Sequence, residues 1–454
     1  MAPLRDHLRR TLTLGLPLVG SQLAQILIGT TDTLMLGRYS VEALAASVLA
    51  HSVFFTLFLL ASGPAIAVMG VAADAAGQGD ERSVRRAARM GLWLSAAAGA
   101  SMLPALWFSA PLLRALGQSP EVAGDAQSYL RVAMWGIVPA LVTMTLRSHL
   151  SALEHTRVVL WATLGAAALN AGLNWLLIFG NAGAPELGIR GAALASVSVN
   201  VAMALALGLY AARGPDMARW ALYRNLARPD WEMTGRLFRI GWPIGLTLLA
   251  ETGLFTAAAL MMGAMGTVPL AAHGIALQLA GATFMVHLGL SQAATVRVGR
   301  FAGAGKPDDL RRAALATFAL SGVAVVASTV LFVGAGGLLV GLFLDRSDPQ
   351  ADAILALGVR LLMVAAVFQL VDAAQVMALG CLRGLQDTRR PMVLAFLSYW
   401  VVGVPVAWAL GLGLGLGPLA VWAGLVVGLA LAAVTLTARF LSLAPAPAAA
   451  VAAT

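Results

Sequence analysis

Apolar runs of about 20 residues recur along nearly the whole chain, and about 20 residues is the length a helix needs to cross the hydrocarbon core of a bilayer. Twelve such runs begin near Leu12, Val48, Arg89, Gln127, Val158, Gly188, Ile240, His273, Ala313, Gly358, Pro391 and Gly417. Inside lipid the backbone must satisfy its own hydrogen bonds, so each run is expected to be a helix. Only 11% of the 454 residues are charged, against roughly 25% in a soluble domain. The expected fold is an all-α integral membrane protein of twelve transmembrane helices.

A formal charge of +9 raises the question of a nucleic-acid partner, but the distribution of the charge answers it differently. When the chain ends and every second loop are assigned to one side, that side holds all but six of the 30 basic residues. The opposite side keeps Arg38, Arg114, Arg131, Arg190, Arg346 and Arg360. Positive residues favour the cytoplasm. Both termini are therefore expected to be cytoplasmic in a bacterial-type inner (plasma) membrane, with the lipid bilayer, not nucleic acid, as the partner. One cysteine, Cys381, excludes an internal disulfide and reads as a small packing residue. The first apolar run is too long for a signal-peptide core and is expected to stay in the mature chain.

The chain repeats itself at an offset of 226 residues. Leu14-Gly15-Leu16-Pro17 returns as Ile240-Gly241-Trp242-Pro243, Leu44-Ala45-Ala46 as Leu270-Ala271-Ala272, and Arg85-Arg86-Ala87-Ala88 as Arg311-Arg312-Ala313-Ala314. Six spans per copy is an even number, so both copies enter the membrane in the same direction. This predicts two six-helix lobes, 1–212 and 240–441, related by a pseudo-two-fold axis along the membrane normal, a plan common among transporters. Between them, 213–239 is expected as a cytoplasmic linker, with Trp220, Tyr223 and Trp231 alternating with arginines as in an interfacial helix. The Ala-Pro-rich stretch 442–454 is expected to be a disordered tail.

Three acids interrupt the apolar runs: Asp32, Glu251 and Asp372. A carboxylate at the centre of a membrane helix costs about 2.5–3.5 kcal/mol even on lenient insertion scales, so such residues face a cavity or one another. In the repeat register Glu251 aligns with Gln25, Asp32 with Ala258, and Asp372 with Thr143 after a three-residue shift. A structural role would be shared by both copies, and this asymmetry favours specialised sites. A carboxyl buried without a partner can exchange a proton or bind Na+ together with other oxygens. Acids without bases prefer cationic guests.

Asn170 and Asn174 stand four apart on one helix face and are placed to bond Asp32 or an ion, with helix–helix bonding the plain alternative. Gln278, His273, His287 and Gln292 mark the eighth span, where the histidines read as packing residues. Two soluble-protein motifs fail on context. Gly303-Ala304-Gly305-Lys306 lacks the spacing and hydroxyl of a phosphate loop. Gly77-Gln78-Gly79-Asp80, similar to a motif of intramembrane aspartyl proteases, lies in a charged loop. Both read as turns.

Leu14-Gly15-Leu16-Pro17 followed by Thr30-Thr31-Asp32-Thr33 resembles the first span of multidrug and toxic compound extrusion (MATE) transporters. Leu249-Ala250-Glu251-Thr252-Gly253-Leu254-Phe255 with Ala271-Ala272-His273 resembles the seventh and eighth spans of their NorM branch. Asp372-Ala373-Ala374-Gln375-Val376, leading to Leu382-Arg383-Gly384, is similar to the tenth, and Asn170 and Asn174 lie in a stretch similar to the fifth. The resemblance implies a multidrug antiporter, not an enzyme, that exports small organic cations in exchange for inward Na+ or H+. It implies no resident cofactor, and the chain is expected to be a monomer. Glu251 and Asp372 become the second-lobe cation site, open to Na+, and Asp32 with Asn170 and Asn174 the first-lobe site. Gln25 and Gln278 are supporting polar residues. Ile178 stands where another branch carries a further acid. The rival readings are a lipid or polysaccharide-precursor flippase, whose cavity needs basic residues, a major-facilitator transporter, whose loop signature is absent, and an intramembrane aspartyl protease.

Overall fold

A computed structural model describes residues 3–345 and 347–444. Every regular element among them is helical, and twelve helices are long and apolar enough to span a membrane. They are α1 (Leu4–Tyr39), α2 (Val41–Gly77), α3 (Glu81–Trp107), α4 (Pro120–Ala152), α5 (Thr156–Phe179) and α6 (Ile189–Arg213), followed by α7 (Trp231–Ala264), α8 (Thr267–Gly303), α9 (Pro307–Gly341), α10 (Ala351–Gly384), α11 (Arg389–Gly413) and α12 (Pro418–Leu443). Of the predicted tail 442–454, residues 442 and 443 are helical and the part from 445 lies outside the described residues, as does Arg346.

Several helices exceed the bilayer requirement, α2 and α8 reaching 37 residues. A helix does not stop where the first charge appears, and its polar ends continue past the apolar window. Arg147, Arg297 and Arg383, assigned to loops from sequence, are therefore helical, and Arg147 and Arg297 are buried. Arg147 donates to Ser21 Oγ at 3.2 Å and Gln22 Oε1 at 2.9 Å, tying α4 to α1.

The linker departs from the helix expected over 213–239. Turns follow one another after Gly214, and regular helix resumes only at Trp231. Asp216, Ala221 and Asn225 hold φ of 59°, 42° and 58°, which a right-handed helix cannot contain. Pro215 and Pro229 bracket the stretch. Arg85 Nε donates to the Trp220 carbonyl at 2.8 Å, Trp93 Nε1 to that of Leu226 at 2.9 Å, and Tyr223 Oη to that of Gly208 at 2.9 Å. At its end Arg86 grips Asp230 with bonds of 2.5 and 3.0 Å. That guanidinium holds the Asp230 carboxyl below its usual range.

The chain divides into two compact units, Gly20–Gly245 and Met1–Val19 with Leu246–Thr454. This differs from the division 1–212 and 240–441, because both cuts fall inside helices, α1 and α7. The cut points, after Val19 and after Gly245, are themselves one repeat length of 226 apart. Each unit keeps the initial part of the other copy's first helix. Glycine makes the two equivalent crossings possible. A Cβ on Gly63 of α2 would sit 2.1 Å from the Gly241 carbonyl oxygen of α7. A Cβ on Gly289 of α8, 226 residues on, would sit 2.6 Å from the backbone of Val19 in α1. The turns repeat as well: Gly79 (φ 73°) precedes α3 and Gly305 (φ 65°) precedes α9, with Asp80 capping α3 through the Ser83 N–H at 3.0 Å. Apolar side chains fill each unit, around Leu130, Ile137 and Leu141 in one and Leu361, Leu362 and Trp422 in the other.

Candidate functional site

Each unit holds its own polar centre. In Gly20–Gly245, α1 carries Asp32 to the face of α5 that bears Asn170 and Asn174, both fully buried. Asp32 Oδ1 accepts from Asn170 Nδ2 at 3.0 Å and from Asn174 Nδ2 at 2.5 Å, and Ser196 Oγ of α6 lies 3.5 Å from Oδ2. The four-residue spacing of the asparagines lets one carboxylate oxygen take both amides. Asn174 Nδ2 also reaches Asn170 Oδ1 at 3.3 Å, leaving Asn174 Oδ1 without a partner. Ile178, one turn further on α5, is fully buried. His51 of α2 lies within electrostatic reach of Asp32 and stacks on Phe55 at 5.9 Å.

In the other unit α7 supplies Glu251 and α10 supplies Asp372, 8% and 3% exposed. Gln375 lies three residues beyond Asp372 on the same face, and its Nε2 donates to Glu251 Oε1 at 3.2 Å. Tyr399 of α11 is fully buried within reach of both acids. It stands in Leu397–Gly403, a stretch of widened π-type turns, which re-aim side chains relative to an α-helix and recur at functional sites. The next residue, Trp400, donates from Nε1 to the Ala250 carbonyl at 3.1 Å. Its ring fills the space where a Cβ on Gly253 would come within 2.7 Å. Trp400 thus fixes α11 against the turn of α7 that carries Glu251.

Two oxygens in this centre are buried without a hydrogen-bond partner, Asp372 Oδ1 and Gln375 Oε1, and the Tyr399 hydroxyl lies against the Gln375 side chain. Buried polar atoms are nearly always satisfied, so two orphans beside a pair of acids need a reason. Neither acid forms an ion pair among the described residues, although Arg383 near the end of α10 lies within electrostatic reach of Glu251. Oxygens of this kind suit a proton or a hard cation. Such an arrangement suits a positively charged guest.

The MatE family profile matches residues 17–176 and 243–409. The chain belongs to the MatE family. It is a multi-pass membrane protein of a transporter family, not an enzyme. The probable multidrug resistance protein NorM of Rhizobium meliloti (strain 1021) is 48% identical over 450 residues, covering 99% of this chain and 96% of that one. Its counterpart in Agrobacterium fabrum (strain C58 / ATCC 33970) is 42% identical, covering 94% and 91%. Among solved structures, a MATE protein in complex with MaL6 has a TM-score of 0.87 at 21% identity, covering 96% and 97%. A MOP superfamily transporter from Pyrococcus furiosus, described as having a binding pocket of reverse polarity suggesting a different function, also reaches 0.87, at 22% identity and 97% coverage of both chains. These structural likenesses establish the fold.

Within this MatE chain the structure brings Asp32 together with Asn170 and Asn174, and Glu251 with Asp372. Gln25 and Gln278 are exposed and share no hydrogen bond with the acids. His273 accepts from Trp422 Nε1 at 3.0 Å, and His287 meets Ser321 Oγ at 2.9 Å, so both histidines pack. Gln375, Tyr399, Ser196 and His51 were not singled out as site residues from sequence. The one available signal was the three-residue spacing from Asp372 to Gln375.

Proposed function

We propose that this chain is a secondary multidrug antiporter, exporting small organic cations in exchange for inward Na+ or H+ by alternating access. Both termini would be cytoplasmic in an inner membrane and the working unit a monomer. The observation that carries the reading is the Glu251–Asp372 centre: two buried acids, no ion-paired base among the described residues, and two orphaned oxygens. Such a centre exchanges one positive guest for another. An arriving Na+ or proton neutralises the acids and weakens their hold on cationic cargo, and cargo opposes the ion equally, the reciprocal linkage that coupling needs. Asp32, held by Asn170 and Asn174, supplies a second negative centre.

The names of the NorM relatives support drug-like cargo. Fold alone does not choose the cargo, since a neighbour of the same fold is described with reverse pocket polarity. In this chain the acidic polarity favours cations, and a carrier of anionic pyrophosphate lipids would need basic residues instead. The test is efflux of a fluorescent organic cation from proteoliposomes, with Na+ and pH gradients imposed separately. One gradient should drive efflux in the wild type. Glu251→Gln and Asp372→Asn should each abolish gradient-driven efflux while the protein stays monodisperse and folded. Wild-type efflux from either variant would defeat the assignment.

A further inference from the structure

One buried histidine plays no part in either acidic centre. His7, near the start of α1, is 1% exposed and stands between the last turns of α8 and the first turn of α9, all within one compact unit. Arg297 of α8 places Nη2 2.8 Å from His7 Nδ1. The same guanidinium donates from Nη1 to the His7 carbonyl oxygen and, at 2.6 Å, to Thr11 Oγ1. On the other edge of the ring, His7 Nε2 lies 3.3 Å from Asp309 Oδ1 of α9. Phe301, one turn beyond Arg297, packs on both partners, its ring centre 5.6 Å from that of the imidazole and 5.7 Å from the guanidinium carbon.

The Arg297 contact fixes the state of the ring. A guanidinium carries five donors, no acceptor and a permanent charge, so Nδ1 must accept with its lone pair. The ring is then neutral, with its proton on Nε2, the edge that faces Asp309. A second proton, on Nδ1, would set N–H against N–H at 2.8 Å and a cation against a cation. Among the charged groups facing the ring, Asp309 alone favours an imidazolium, whereas Arg297 and, from α9, Arg312 oppose it. With the histidine shut off from water, taking up that proton has to go with opening. Acid therefore favours the open contact and neutral pH the closed one, the sense in which a histidine works as a switch.

We propose that His7 is a proton-operated clasp, holding the start of α1 to α8 and α9 while its ring is neutral and releasing it when the adjoining compartment turns acidic. Only the identity of that compartment, the cytoplasm, rests on the orientation proposed above, and the test does not use it. Hydrogen–deuterium exchange of the full chain in detergent, corrected for the intrinsic effect of pH, reads the clasp through the amides of residues 8–11. An opened histidine of ordinary pKa, about 6.5, shifts the closed–open balance about 30-fold between pH 7.5 and 5.0, and protection at 8–11 should fall by that factor. Residues 234–238, near the start of α7, are the internal control, because the Asp230 carboxylate held by Arg86 is still ionised at pH 5.0. H7Q keeps an amide acceptor and donor in place of the two ring nitrogens but takes no charge, so its protection should stay level across this range. Nitrogen NMR of 15N-histidine-labelled protein, with His7 assigned by its absence in H7Q, should show a neutral ring with Nδ1 unprotonated at pH 7.5. Unchanged wild-type protection at pH 5.0, an equal fall in H7Q or at 234–238, or a proton on Nδ1 at pH 7.5 would overturn the clasp. If H7Q does not close even at pH 7.5, the wild-type exchange and the NMR spectrum decide without it.

Discussion

At the scale of single residues, the three acids were legible because a carboxylate within an apolar run has few reasons to be there. Their neighbours were not. A glutamine or tyrosine in a membrane helix is commonplace, and only packing reveals that Gln375 Oε1 is buried without a partner and that the Tyr399 hydroxyl lies beside that glutamine and both acids. His51 was invisible for the same reason, since the helix that carries it says nothing about the carboxylate on α1. Tyr399 gives the sharpest residue-level prediction. Its hydroxyl has at most one weak partner to lose, a net contribution of about 1 kcal/mol, so Tyr399→Phe should change the melting temperature little. If the hydroxyl helps hold the coupling ion, the same change should raise the Na+ or proton concentration needed for half-maximal efflux. An idle core tyrosine would leave that half-maximal concentration where it was.

At the scale of elements, the twelve helices and the register of the repeat were readable, because apolar length and recurring Gly-Pro and Arg-Arg pairs survive in the sequence. Which neighbour each part of a helix packs on was not. Hydropathy sees α1 as one apolar run, whereas the structure gives its initial part to one compact unit and the remainder to the other. The linker was misread for a related reason: aromatic residues alternating with arginines occur in interfacial helices and in docked turns alike, and positive φ at Asp216, Ala221 and Asn225 decided for turns. The glycine crossings test the exchange of helix ends directly. Gly63→Ala places a methyl group 2.1 Å from a carbonyl oxygen, and Gly289→Ala 2.6 Å from backbone. Overpacking of this kind costs roughly 1–3 kcal/mol, and backbone cannot swing aside as a side chain does. Each variant should lower the thermal unfolding temperature measured in detergent, by similar amounts because the sites are equivalent. Gly29→Ala, with nothing within 4 Å of the added carbon, should be neutral. If all three variants melted alike, the crossings would not be the tight contacts described.

At the scale of the whole chain, the charge asymmetry and the repeat make one joint claim. Loops one repeat apart are expected to open to the same side of the membrane, and the arginine-rich side is expected to be the cytoplasm. Cys381 is fully buried, so the natural protein should be silent to a membrane-impermeant maleimide, and single introduced cysteines can be read against it. Gln78 and Ala304 are exposed turn residues 226 apart, and Gln118 and Gln350 are exposed on loops at the opposite ends of their helices. None of the four replacements alters charge, so the residues that set orientation are untouched. In intact cells, externally added maleimide should label Gln118→Cys and Gln350→Cys but spare Gln78→Cys and Ala304→Cys, and inverted vesicles should reverse the pattern. If Gln78→Cys and Ala304→Cys labelled from opposite sides, the two copies would not enter the membrane in the same direction. If both labelled from outside, the copies would still be parallel, but the direction of cation export inferred from the arginines would be reversed.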